Sequence, residues 1–401
     1  MSALQASVLL VRSVLISSGV VSPAAASAVV SAVDRREMGQ ALDDAVLHGG
    51  MTAPHQKVLG GKVGGRHSHK AAADRSCRCR SPFSRAYRGS CLPSFMVIGS
   101  QKAATSKLRW YLSRHPEIEI PKEEAFHSGP KAVTAWDTKA DPLLLSNYLA
   151  QFNDVCNTTS ITGLKMPDYI VMSTLTIEHF HKENPGMRII VTLREPVARM
   201  YSYFSMQLRF GWSPINHMGK NPCMQQQLRA ILKEKEARAQ RGEIVKLNFT
   251  SEEIMVTNLK CVRPCYASNA SGVGPEAEEE IWHNEKLPEC KNIYFTPLVH
   301  SMYALHIRRW LRIFDREAML LLRFDDLVLH PLEVLQKVAH FLKISNFAAN
   351  FKYEVGRENF TTIERLLQSG AVTRSSVQML QAFFAPHDEA LHKMFPGEKF
   401  Y

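Results

Sequence analysis

From Phe95 to His115 the chain reads FMVIGSQKAATSKLRWYLSRH. This stretch constrains the fold more than any other. Five apolar residues at strand length run into a short polar loop and then into a helical pattern with Leu108 and Leu112 on one face. His115-Pro116 closes the helix, because proline disfavours helical backbone in the residue before it. A strand that breaks through small residues into a helix makes an anion site. The first helical N–H groups have no partner within the helix, and the helix dipole favours negative charge there. Lys102 adds a full positive charge, and Thr105 and Ser106 add hydroxyl donors. The triphosphate-binding pattern GxxxxGK[ST] is absent, since Lys102 stands three residues ahead of the hydroxyl pair. No acidic residue stands in the usual place for magnesium, Asp325 being the nearest candidate, so Lys102 and backbone amides could neutralise the anion without a metal.

The same strand, charged turn and helix recur at Arg188–Leu193 (RIIVTL), Arg194-Glu195-Pro196, and a helix with Val197, Met200, Tyr201, Phe204 and Leu208 on one face. Read alone, Arg194 and Glu195 also suit an ion pair at a helix end. The planar fork of Arg194 equally suits a phosphate, and Ser202 lies further along the helix. Two separated anion sites fit a ligand phosphorylated at both ends. Between them lies Pro121-Lys122-Glu123-Glu124, where Glu123 could take a proton and Lys122 could hold it ionised; a solvated charge cluster is the plainer alternative.

Further on, Met319–Phe324 reads as a buried strand. Pro331–Ile344 reads as an amphipathic helix, and Val377–Phe384 and His387–Phe395 as a closing helix pair. Ile307, Trp310, Leu311 and Phe314 form an apolar helix stripe with Arg308, Arg309 and Arg312 facing away. Gly163–Tyr169 (GLKMPDY) reads as a polar loop. Buried strands alternating with amphipathic helices predict an α/β fold, a central parallel sheet with helices on both faces.

The net charge of +11 raises the question of nucleic acid, but its location answers it. Between His55 and Leu92 there are nine Lys or Arg against one acid, Asp74, which accounts for most of the excess. That stretch belongs to a Gly- and Ser-rich basic linker spanning residues 34–92, and no nucleic-acid partner is expected. Residues 1–33 are small and apolar with one charge, Arg12, and read as a targeting segment or signal-anchor. The folded domain is expected over 93–401, with a loop-rich, cysteine-containing insert at about 212–292 and a charged helix at Met224–Arg241 inside it. Eight cysteines (77, 79, 91, 156, 223, 261, 265 and 290) lack zinc-site spacing and suit disulfides in an oxidising compartment. Sequons at Asn157, Asn248, Asn269 and Asn359 are compatible with that compartment.

Taken in order, IGSQKAATSKLRWYLSRHP, PKEEAF, GLKMPDY, IIVTLREPVARMYSYF and MLLLRFDDLVLHPLEVLQKVAHFL resemble the sulfotransferases that use 3′-phosphoadenosine-5′-phosphosulfate. The resemblance is to the membrane-associated carbohydrate type, the heparan sulfate and N-acetylgalactosamine 4-sulfate 6-O enzymes. It implies a P-loop-like sulfotransferase fold and transfer of a sulfuryl group to a glycan hydroxyl, or less favourably an amine. It implies that Lys102 contacts the phosphosulfate and that Ala103, Ala104, Thr105 and Ser106 cradle it. Arg194 and Ser202 would then hold the 3′-phosphate, with Glu123 as base and Lys122 and Lys165 assisting. It further implies a lumenal domain at a Golgi membrane, the alternatives being another organelle or secretion after cleavage of a targeting peptide. Ala104 stands where the family usually has glycine. The competing expectations are a sulfotransferase of small metabolites or protein tyrosine, a nucleotide kinase, and a non-catalytic glycan- or nucleotide-binding relative.

Overall fold

The computed structural model describes residues 83, 86–87, 90–120, 160–172, 174–214, 221–267, 290, 296–348, 351 and 361–401. The expected targeting segment, Lys122 and Glu123, and the sequons at 157, 269 and 359 lie outside them.

A short antiparallel hairpin, β1 (Ala86–Tyr87) and β2 (Ser90–Cys91), leads into the sheet. The sheet comprises β3 (Phe95–Gly99), β4 (Ile118–Glu119), β5 (Ile161–Lys165), β6 (Arg188–Leu193) and β7 (Met319–Arg323). Its order is β4-β5-β3-β6-β7, and every pairing is parallel. The two strands read most plainly in the sequence, β3 and β6, are neighbours at its centre. Both are buried on two faces, which is why they appear as unbroken apolar runs.

Side chains alternate across the sheet with period two. On one face Met96, Ile98, Ile189, Val191 and Leu193 pack with α2 (Thr174–Glu183), α3 (Pro196–Arg209), α7 (Tyr303–Leu311) and α11 (Arg374–Met394). On the other, Phe95, Val97 and Ile190 pack against α1 (Thr105–Leu112) and α9 (Pro331–Leu342). Helices thus cover both faces, and the expected α/β architecture is the observed one.

Three local expectations need correction. The stretch GLKMPDY is not wholly a loop: Gly163, Leu164 and Lys165 end β5. Glycine is needed there because a Cβ at Gly163 would stand 2.1 Å from the Phe95 ring. The closing helix pair is one helix, α11, with Pro386 inside it. Burial of Phe384, His387 and Leu391 on either side outweighs the lost backbone donor. Arg309 does not face away but is buried, donating to the carbonyls of Val171 and, at 2.6 Å, Met172.

The insert is more helical than expected, with α4 (Pro222–Gln240) and α5 (Ser251–Ala267). Thr250 and Glu253 start α5 by reciprocal capping, since Glu253 N–H donates to Thr250 Oγ1 and Thr250 N–H to Glu253 Oε2. Disulfides Cys223–Cys261 and Cys265–Cys290 hold α4 to α5 and α5 to the segment after it. α6 (Pro297–His300), α8 (Phe324–Leu329) and α10 (Ile363–Gln368) are short connecting turns.

Packing extends N-terminal to Pro93. Phe83 is buried, and the Asn184 side-chain amide donates to both the Phe83 and Pro93 carbonyls, at 2.8 and 2.9 Å. The Arg188 guanidinium lies 4.1 Å from the Phe83 ring centroid. No helix among the described residues is long and apolar enough to cross a membrane.

Candidate active site

The site lies where β5, β3, β6 and β7 end, the edge at which open parallel sheets place ligands. The β3 strand runs out at Gly99, whose missing side chain matters: a Cβ would stand 2.9 Å from Ile170 Cβ and 3.0 Å from the Pro167 carbonyl. Thr192 of β6 fixes the exit, its hydroxyl donating to Gly99 O and its carbonyl accepting from Ser100 N–H. The loop then turns through two left-handed residues, Lys102 (φ 68°) and Ala104 (φ 62°), before α1 begins.

Helix α1 opens with no side-chain cap and no acidic residue in its first turn. Its first intrahelical bond is Leu108 N–H to Ala104 O, so the N–H groups of Thr105, Ser106 and Lys107 precede the helical ladder. Lys165, at the end of β5, reaches the same turn, with Nζ 3.4 Å from Ser106 Oγ.

Arg194, the first residue past β6, joins the two turns. One guanidinium nitrogen donates to Lys102 O at 2.8 Å and another to Thr361 O at 2.6 Å, while the guanidinium stands 4.3 Å from the Phe324 ring centroid. Tyr303 of α7 donates to Arg194 O. Glu195 caps α3, accepting from Ala198 N–H at 2.6 Å.

Lys102 Nζ lies 3.3 Å from Met206 Sδ on α3. Ser202, Met206 and Arg209 share that face of the helix by their i, i+4, i+7 spacing. The fully buried Arg199, from the first turn of α3, donates to Gln101 O, Ser301 Oγ and Pro297 O. Burial lowers the Lys102 ammonium from 10.5 to about 8, helped by positive charge on Arg209, Arg194, Lys165 and Arg199. The four charged groups that bear most on Lys102 among the described residues are all cations. Burial likewise brings Arg194 down to about 10 and raises Glu195 to about 7. Crowded cations, with Lys102, Lys165, Arg194 and Arg199 among them largely desolvated, are chemically suited to a multiply charged anion.

The structure thus brings together Lys102, Ala103, Ala104, Thr105, Ser106, Lys165 and Arg194, and sets Ser202 half-buried on the facing helix. Sequence reading missed Arg199, Arg209, Thr192 and Thr361. Arg199 carried a usable signal, a charged residue between the apolar positions Val197 and Met200.

A Sulfotransferase domain family model matches residues 92–379. The chain belongs to that family. The membrane-associated sulfotransferase kil1 of Dictyostelium discoideum is 25% identical over 291 residues, 64% of this chain and 57% of that protein. The bifunctional heparan sulfate N-deacetylase/N-sulfotransferase of Drosophila melanogaster is 21% identical over 333 residues, 76% of this chain and 26% of that one. The chain therefore spans about half or less of these relatives' lengths. Among solved structures, a sulfotransferase from Alicyclobacillus acidocaldarius has a TM-score of 0.43 at 19% identity, covering 77% of this chain and 97% of that one.

Proposed function

We propose that this chain transfers a sulfuryl group from 3′-phosphoadenosine-5′-phosphosulfate to a hydroxyl of a glycan, releasing adenosine 3′,5′-bisphosphate. The observation that carries the reading is the cluster of Lys102, Lys165, Arg194, Arg199 and Arg209 around one loop, four of them cations that bear on the fifth, Lys102. A ligand with two separated anionic groups fits the two strand–helix turns that Arg194 joins.

In this reading Lys102, the first N–H groups of α1 and the hydroxyls of Thr105 and Ser106 hold the phosphosulfate end. Arg194 and Ser202 hold the 3′-phosphate. The acceptor oxygen attacks sulfur, the bond from sulfur to the phosphate oxygen breaks, and Lys102 stabilises the charge left on that oxygen. Glu123 takes the acceptor proton, with Lys122 and Lys165 assisting. No metal ion takes part. The name of one relative, a heparan sulfate N-deacetylase/N-sulfotransferase, favours a glycan over a small metabolite or protein tyrosine.

We place the domain in the lumen of the secretory pathway, at the Golgi membrane, with residues 1–33 as the targeting or anchoring segment. Two disulfides and the exposed sequon asparagine Asn248 support an oxidising compartment.

The test is calorimetric titration with adenosine 3′,5′-bisphosphate, followed by labelled-sulfate transfer to a panel of glycans, small alcohols and peptides. Binding with transfer to a glycan is expected. Binding without turnover on any acceptor would point instead to a non-catalytic relative. Magnesium-dependent use of ATP would point to a kinase. Full turnover by Glu123→Gln would remove Glu123 as the base.

A further inference from the structure

We infer that Phe210 and Trp212, together with Arg209, form a platform on which a sugar ring of an acidic glycan stacks beside the transfer site. The inference rests on the sulfotransferase reading above and adds to it where the acceptor lies and what recognises it.

Helix α3 starts two residues after Arg194 and ends at Arg209, and the two rings follow at once. Phe210 is 68% exposed and Trp212 40% exposed, unusual for residues whose burial would stabilise the fold. Their backbones are held: Phe210 N–H donates to Met206 O and Trp212 N–H to Gln207 O, each at 3.1 Å. The ring centroids stand 6.4 Å apart with planes inclined by 39°. Met206 is the residue whose sulfur touches Lys102 Nζ, and Phe210 is one turn further along, about 6 Å by the helical rise.

Two rings are too little surface for a stable protein interface, which buries roughly 800 Å² per partner. They are enough for one sugar. A pyranose ring has an apolar face of C–H groups and a polar rim, and its C–H face packs on the electron-rich face of an aromatic ring. Charge selects among sugars. Arg209 is exposed, directly precedes Phe210 and shares the face of α3 that carries Met206, so it sits beside the rings on the side of the helix that meets Lys102. A guanidinium there pairs with a carboxylate or sulfate on the chain being stacked. A neutral glycan gains the stacking but not the pairing.

The experiment uses the full chain with adenosine 3′,5′-bisphosphate present. Calorimetry follows heparosan and chondroitin hexasaccharides, which carry uronates, and neutral cellohexaose. At least one uronate-bearing hexasaccharide should bind wild type at least tenfold more tightly than cellohexaose does. Phe210→Ala/Trp212→Ala should weaken it tenfold or more, and Phe210→Tyr/Trp212→Phe should restore it to within threefold. The affinity for adenosine 3′,5′-bisphosphate should be the same in all three proteins. Equal hexasaccharide affinity in wild type and the double-alanine variant overturns the platform. So does equal affinity for cellohexaose, or bisphosphate binding with no hexasaccharide binding. Failure of wild type to bind the bisphosphate overturns the underlying reading as well, and is seen separately.

Discussion

The guanidinium of Arg194 donates to the carbonyl oxygen of Lys102 at 2.8 Å, so one side chain fastens the turn after β6 to the loop after β3. Its second bond, to Thr361 O, brings a third segment into the same joint. An ammonium cannot reach both carbonyls with a planar fork. Arg194→Lys should lose about 1–3 kcal/mol of stability through these bonds. It should also weaken adenosine 3′,5′-bisphosphate binding tenfold or more. Thermal denaturation and calorimetry check the two effects. Unchanged values in both would mean that the joint is incidental.

The lowered ammonium of Lys102 predicts a pH limb in ligand binding. In the free protein it loses its proton near pH 8, well below the usual 10.5, because burial and neighbouring cations disfavour the charge. A bound dianion restores the charge, so binding above pH 8 takes up a proton. Affinity should then fall by up to about tenfold per pH unit above 8. Calorimetry of the bisphosphate in buffers of different ionisation heat counts that proton. Lys102→Arg should abolish the uptake, since a guanidinium stays charged throughout.

Ala104 holds a left-handed backbone with φ 62° at the N-cap of α1. That conformation costs an L-residue roughly 1–2 kcal/mol, part of which glycine gives back as unfolded-chain entropy. Ala104→Gly should stabilise the domain by up to about 1 kcal/mol and tighten the bisphosphate, because the methyl group leaves the loop proposed to hold it. A lowered melting temperature would show that the packing of the Ala104 methyl against the α1 core matters more.

Three buried histidines predict acid sensitivity. Burial depresses His300 to about 3 and His387 to about 4, and places His306 well below its ordinary 6.5. The unfolded chain binds protons near pH 6.5 and the fold does not. Stability is therefore intact above pH 6.5 and falls as pH drops from there toward 4, by up to about 1.4 kcal/mol per unit for each site. Urea melts between pH 7.5 and 5.5 measure the slope. A flat profile would mean that the histidines are charged within the fold.

The sequon at Asn248 is exposed, and its threonine, Thr250, caps α5. Expression through a secretory pathway should give a glycosidase-sensitive mass that Asn248→Gln reduces. Asn248 is the residue to change, since Thr250→Ala would also remove the cap, at about 1 kcal/mol. An unchanged mass in Asn248→Gln would leave this sequon unused.

What could be read beforehand followed from how each residue meets its surroundings. Strands β3 and β6 are buried on both faces and therefore contiguous in sequence, and each is followed at once by its charged turn. Lys102 and Arg194 were legible for that reason. Strand β5 was not, because its Gly163, Thr162 and Lys165 are chosen by the Phe95 ring and the site rather than by strand preference. Arg199 and Arg209 enter the site because α3 crosses it, a tertiary fact that local pattern does not carry. Arg309 escaped for a similar reason, since only the approach of Met172 O tells it from its exposed neighbours. Helix α11 was divided at Pro386 because local propensity is all the sequence shows there, and packing decides otherwise.

The docked Phe83 bears on mechanical load. Asn184 grips the Phe83 and Pro93 carbonyls, and Ser94 bonds β5 and β6 through Thr162 O and Arg188 N–H. All these attachments sit where β3, β5 and β6 begin, at the opposite end of those strands from the Lys102 loop. A pull on the polypeptide preceding Phe83 is taken up there, shared among three strands in shear. The far end of the sheet is thereby insulated from tension on the preceding chain.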